Sequence, residues 1–266
     1  MAEGRHAALD RADVTAVLFH PRSDGYGLED SPGLHSVRIP VAKGISVAAK
    51  IFVAAADAPL ILYFHGNGEI ASDYDEISRI YNHFGFSLLV VDYRGYGGSD
   101  GQPDASSLIA DAMPVYNGVA NLMTERGLAF PSLYVMGRSL GSAPALEVAS
   151  RVGEDISGLI IESGFAFTVP LIERLGGSAA GLDEDRDGFR NLAKMEKVTV
   201  PTLVIHGESD WVIPVQDGLA LHGHCRAADK RLLTVPNAGH NDLLMMALDR
   251  YFGAIHELAF GKEPVG

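Results

Sequence analysis

The chain carries one cysteine, Cys225, so no disulfide can form within it and nothing asks for an oxidising compartment. It also lacks a long apolar run. The most hydrophobic stretch, residues 45–64, is broken by Lys50, Asp57 and Pro59 and is too interrupted for a membrane-spanning helix. Residues 1–6 have no apolar core of the kind a secretory signal needs. Cations are scarce: 21 Lys and Arg against 34 Asp and Glu leave a formal charge of −13. Such a charge repels nucleic-acid phosphates and anionic lipid surfaces. Repeats, low-complexity tracts and Pro/Gly/Ser linkers are missing too. The expectation is a cytoplasmic protein with no nucleic-acid partner and no membrane insertion. What is present is ordinary for a globular protein: 47% of the 266 residues are hydrophobic, enough for the core of one large domain.

The order of element types points to the architecture. Val14–Phe19, Val37–Val41 and Ser46–Ala54 read as early strands, the last two joined by an Ala-Lys-Gly turn that implies an antiparallel start. Six short, continuous apolar runs follow: Leu60–Phe64, Ser87–Val91, Leu133–Met136, Leu159–Ile161, Leu203–Ile205 and Leu232–Val235. Their lack of polar alternation suits strands buried on both faces of a mostly parallel sheet. Between them, Asp75–Phe84, Ala105–Thr124, Leu140–Arg151, Val215–His224 and Asp242–Leu258 carry helical spacing. Such alternation predicts one doubly wound α/β domain over 1–266, with ligands at the carboxyl ends of the strands. Residues 164–197 break the rhythm and read as a lid insertion over that edge.

Gly137-Arg138-Ser139-Leu140-Gly141 fits G-x-S-x-G directly between a strand and a helix. A serine at such a turn is held in a strained backbone with its hydroxyl at the sheet edge. Glycines flank it because a Cβ at either place would crowd the strand or helix beside it. A second match, Gly97 to Gly101, lies well beyond its strand and is followed by Pro103, so Ser99 reads as a loop serine.

A serine hydroxyl needs a base to take its proton and a carboxylate to orient that base. Downstream, Asp210 closes the strand and loop 203–210, and His240 sits just beyond the last strand. Both are therefore expected at the same sheet edge as Ser139. Glu208 and Asp242 are rival acids, Asp242 being well placed to cap the last helix. His6, His20, His35, His83 and His256 read as surface or core. His65-Gly66-Asn67-Gly68, after the strand 60–64, would let main-chain amides approach a ligand. The N–H groups of Asn67 and Leu140 are the expected oxyanion donors.

With these residues in hand, the chain closely resembles the α/β-hydrolase superfamily. The marks are His65 to Gly68, Asp92 to Ser99, the elbow 137–141, His206 to Asp210, and Gly239-His240, in family order over 60–258. The elbow and the H-G-N-G loop look most like the branch of acyl-protein-thioesterase-like and related intracellular hydrolases. The resemblance implies an α/β-hydrolase fold and cleavage of a small-molecule ester, thioester or acyl substrate by Ser139, His240 and Asp210, a mechanism that needs no cofactor. A serine nucleophile separates it from relatives that use Asp (dehalogenases) or Cys (dienelactone hydrolases). Alternatives are a peptidase or amidase using the same site, and a ligand-binding protein on the same fold.

Asp183 to Gly188 matches half of a calcium loop, but Lys194 stands where a closing carboxylate is required. His222 to Cys225 has no second pair of ligands at zinc-site spacing. Neither is read as a metal site. Phe165, Phe167, Leu171, Ile172, Leu175 and Trp211, near the expected edge, each read as ordinary lid packing; as a group they could accept a small acyl chain.

Overall fold

The computed structural model describes residues 6–24 and 30–261. Eight strands form one sheet: β1 (Leu34–Ala42), β2 (Ile45–Phe52), β3 (Leu60–Phe64), β4 (Ser87–Val91), β5 (Leu133–Arg138), β6 (Gly158–Glu162), β7 (Thr202–Gly207) and β8 (Lys230–Val235), in spatial order β1-β2-β4-β3-β5-β6-β7-β8. β1 and β2 pair antiparallel around Gly44, whose φ of +72° a tight turn needs. β2 pairs antiparallel with β4, and every later pairing is parallel. β1 alternates buried Val37 and Ile39 with exposed Arg38 and Pro40, as an edge strand does. β3, β4 and β6 are buried throughout, and β5 is buried up to its last residue, Arg138. On β3, Leu60, Leu62 and Phe64 pack into one face's core while Ile61 and Tyr63 enter the other. That two-sided burial is why these strands read as unbroken apolar runs.

The chain turns from β3 to β4 on one side and then crosses to β5 on the other. The order of strands therefore reverses at β3 and β5, and their carboxyl ends open the crevice where such sheets take ligands. His65 to Gly68 and the serine elbow leave from those two ends.

Helices cover both faces: α1 (Ala12–Leu18), α2 (Ile77–His83), α3 (Ala105–Ala110), α4 (Ala112–Thr124), α5 (Ser142–Val152), α6 (Thr168–Arg174), α7 (Glu184–Asp187), α8 (Asn191–Met195), α9 (Val215–His224) and α10 (Leu243–Phe260). The strand expected at Val14–Phe19 is helical instead. Val14 and Leu18, four apart, are both buried while residues 15–17 are not, a helical rather than a two-residue period. The single helix expected over 105–124 divides at Asp111. Pro114 accounts for the break: its ring would strike the carbonyl of Ala110 in a continuous helix. Asp111 is fastened there by the Arg94 guanidinium at 2.6 and 2.7 Å. Residues 164–197 form the β6–β7 connection and carry α6, α7 and α8. Phe165, Leu171, Ile172, Phe189 and Met195 bury it in the core. No described helix is long and apolar enough to cross a membrane.

Candidate active site

β5 ends at Arg138, and Ser139 turns sharply out of it with φ +51°, in the left-handed region. Non-glycine residues pay about 1–3 kcal/mol for such a conformation, and it persists where packing enforces it. The enforcing contacts are visible at the two glycines. A Cβ on Gly137 would lie 2.3 Å from the Gly141 carbonyl oxygen and 2.7 Å from the Ala145 Cβ on α5. One on Gly141 would lie 2.0 Å from the Phe64 carbonyl oxygen at the end of β3. The Ser142 hydroxyl donates to the Ser139 carbonyl at 2.7 Å and holds the turn from its helix side.

His240, in the loop after β8, has Nε2 2.9 Å from the Ser139 hydroxyl and Nδ1 2.7 Å from Asp210 Oδ2. Beside a carboxylate, Nδ1 carries the proton, which leaves Nε2 free to accept from the serine. Burial alone would raise the Asp210 carboxyl. Hydrogen bonds from His206, His240 and the Ile213 N–H outweigh it and hold Asp210 well below the usual carboxylate range. The Val212 and Ile213 amides donate to its Oδ1 at 2.9 and 2.8 Å. His206 Nε2 lies 3.5 Å from Oδ2 and only 2.8 Å from the Ile213 carbonyl. It therefore secures the loop that supplies those amides as well as touching the carboxylate.

The His65–Gly68 loop lies against the elbow. A Cβ on Gly141 would meet the His65 carbonyl, and one on Gly66 would sit 2.6 Å from Arg138 Nη1. The two expected oxyanion donors thus come from loops in mutual contact. Among the described residues, neither the Asn67 nor the Leu140 main-chain N–H is matched with an acceptor. The Asn67 side chain is anchored away from the loop: Oδ1 accepts from the His20 N–H and the Tyr96 hydroxyl, each at 2.8 Å, and Nδ2 lies 2.8 Å from His20 Nδ1.

Arg138, the variable position of the elbow motif, is a junction that sequence reasoning passed over. Its guanidinium pairs with Glu69, with Glu162 at 3.1 Å, and donates to the His240 carbonyl and Asn241 Oδ1 at 2.9 Å each. Glu69 also accepts from the Gly66 N–H at 2.8 Å, and Glu162 from the Tyr251 hydroxyl at 2.7 Å. One cation thereby joins the serine strand, the H-G-N-G loop and the histidine loop. Sequence offered no signal for this, because Glu69 and Glu162 lie 69 and 24 residues away.

The rival residues are engaged elsewhere. The Ser99 hydroxyl accepts from the Ala48 N–H at 2.7 Å. Glu208 accepts from Thr234. Asp242 stands at the N-cap of α10, yet its carboxylate accepts from the Gly239 N–H at 2.6 Å rather than capping the helix. Asp183 caps α7, and His224 pairs with Glu196. The expected apolar group divides. Phe165, Leu171 and Ile172 belong to the core and Leu175 is partly buried against it, because this connection packs on the sheet's helices. Phe167 and Trp211 are exposed, at 38% and 84%.

A family model described as serine aminopeptidase S33 matches residues 56–181 and 186–244. Among curated proteins, α/β hydrolase domain-containing protein aho-3 of Caenorhabditis elegans is 32% identical over 193 residues, 70% of this chain and 54% of that protein. Human α/β hydrolase domain-containing protein 17C is 33% identical over 196 residues, 70% and 54% respectively. The matches thus span about half the length of these relatives. A Pyrococcus furiosus esterase superposes with TM-score 0.72 at 16% identity, over 90% of this chain and 97% of that one. The acylaminoacyl peptidase of Pyrococcus horikoshii superposes with TM-score 0.65 at 14% identity, over 88% and 42%.

Proposed function

The chain belongs to the α/β-hydrolase superfamily, through the family described as serine aminopeptidase S33, and from that premise we propose that it is a serine hydrolase cleaving carboxylic esters or thioesters of small or acyl substrates. The observation that carries the proposal is the unbroken hydrogen-bonded line from Ser139 through His240 to Asp210. In this reading His240 Nε2 takes the hydroxyl proton as Ser139 Oγ attacks the carbonyl carbon, and Asp210 stabilises the imidazolium that forms. The tetrahedral oxyanion accepts from the Asn67 and Leu140 amides. His240 then returns its proton to the departing alcohol or thiol. A water deprotonated by the same nitrogen releases the acid and restores the serine. Residues 164–197 are proposed as the lid, with Phe167 on it and Trp211, in the loop after β7, as exposed apolar surface.

The description of the matched family favours one second reading, aminopeptidase-like cleavage of amides, which the same groups could perform. A panel of p-nitrophenyl esters, acyl thioesters and aminoacyl amides, each tested on wild type and Ser139→Ala, decides between them. Ester or thioester turnover lost in Ser139→Ala supports the proposal. Faster turnover of amides than of matched esters replaces it with the peptidase reading. Turnover that survives Ser139→Ala rejects both.

A further inference from the structure

We propose that His20 and Tyr96 are positioning residues for the oxyanion hole, holding the Asn67 main chain in place by clamping its side chain from two sides. The inference rests on the hydrolase reading and adds a segment outside it, since residue 20 precedes the region matched by the family model. The amide's orientation follows from its surroundings. The His20 main-chain N–H can only donate, and it is shared between Asn67 Oδ1 and the Tyr96 hydroxyl oxygen, each 2.8 Å away, so the Asn67 atom is the oxygen. The Tyr96 hydroxyl accepts from that N–H and gives its own proton to the same amide oxygen at 2.8 Å. Tyr96 is fully buried, and burial keeps its phenol protonated and therefore a donor. The Asn67 Nδ2 must then donate to His20 Nδ1, 2.8 Å away, which requires that nitrogen to be unprotonated.

The segment bearing His20 is tied to the same loops. The Arg22 guanidinium donates to the Gly68 carbonyl at 3.0 Å and pairs with Asp73, and the Arg22 carbonyl accepts from Gly97 at 2.7 Å. The H-G-N-G turn is thus held from outside by residues 20–22 and from beneath by Tyr96, while Glu69 holds its Gly66 amide. An oxyanion donor works because it is aimed before the charge develops. Here the aiming is done through an asparagine side chain, and glycine or alanine at 67 would supply the same amide without the clamp.

Steady-state kinetics on the best p-nitrophenyl ester, with thermal unfolding alongside, test this. His20→Leu removes the acceptor at an exposed position, Tyr96→Phe removes one donor and keeps the ring, and His20→Asn retains an acceptor where Nδ1 stood. The expected result is a kcat loss of about tenfold in His20→Leu and in Tyr96→Phe, a fraction of the 10²–10³ that a whole donor supplies. KM should stay within about twofold, and His20→Asn should recover most of the rate. Unchanged kcat in His20→Leu, a rise confined to KM, or equal losses in His20→Leu and His20→Asn would overturn the clamp. A wild type that turns over no ester, thioester or amide rejects the hydrolase reading itself, and the clamp with it.

Discussion

The Arg138 guanidinium donates to the main-chain carbonyl of His240 at 2.9 Å. The residue beside the serine thereby holds the backbone of the histidine that the proposed mechanism uses as its base. The same guanidinium is the partner of Glu162, whose side chain is 5% exposed. Arg138→Met would leave that carboxylate buried with only the Tyr251 hydroxyl. The expected cost is about 3–5 kcal/mol in urea unfolding, as for breaking other buried pairs from one side. Arg138→Lys keeps the charge but not the planar fork, so it should lose less stability while still lowering kcat through a displaced His240.

The three candidate residues that the fold brings together were legible because each follows a strand end with a glycine close by: Ser139 between Gly137 and Gly141, Asp210 after Gly207, His240 after Gly239. Chemistry that must sit at a sheet edge leaves a local trace there. Arg138 left none, since its partners arrive from the loop after β3, from β6 and from the loop after β8. His20 read as an ordinary surface or core histidine for the same reason. Its importance comes from a contact 47 residues away in sequence. Strands β3 to β7 were legible because two-sided burial writes continuous apolar runs; the partly buried edge strand β8 showed only through Leu232–Val235. Val14–Phe19 misled because a short apolar run rich in valine suits either a strand or a buried helical face, and only its partners decide. In the group 165–175 the packing reading holds for Phe165, Leu171, Ile172 and Leu175, because apolar residues in a connection serve the core as readily as a pocket.

Backbone strain at Ser139 predicts an inverted mutational order. Both Ser139→Ala and Ser139→Gly abolish turnover and lose the hydrogen bond to His240. Glycine, however, tolerates φ +51° and alanine does not. Ser139→Gly should therefore be more stable than Ser139→Ala by about 1 kcal/mol, measured by thermal unfolding.

Gly141 predicts the opposite case, a harmful alanine. The added methyl would sit 2.0 Å from the Phe64 carbonyl oxygen, and the strand end cannot yield without moving the H-G-N-G loop. Gly141→Ala should cost about 3 kcal/mol, the upper end for overpacking, and lose most activity even where folded. Urea unfolding and ester kinetics on the folded fraction check both.

Asp210 sets an acid limit on stability. Its carboxyl is held below the ordinary value of 3.8 in the folded state. The ionised form therefore contributes stability that is present above pH 3.8 and is lost as pH falls through the lower folded-state value. In Asp210→Asn this contribution is gone, so its stability should fall less steeply than wild type below about pH 4. The same variant should lose several orders of magnitude in kcat at neutral pH, because asparagine favours the wrong imidazole tautomer.

The most direct test of the account is the site of covalent capture by a fluorophosphonate, located by peptide mass spectrometry. A single adduct on Ser139 is expected, absent from Ser139→Ala and formed far more slowly in His240→Ala, where no base remains to take the proton. An adduct on Ser99 or another serine, or labelling of Ser139 at an undiminished rate without the imidazole, would contradict it.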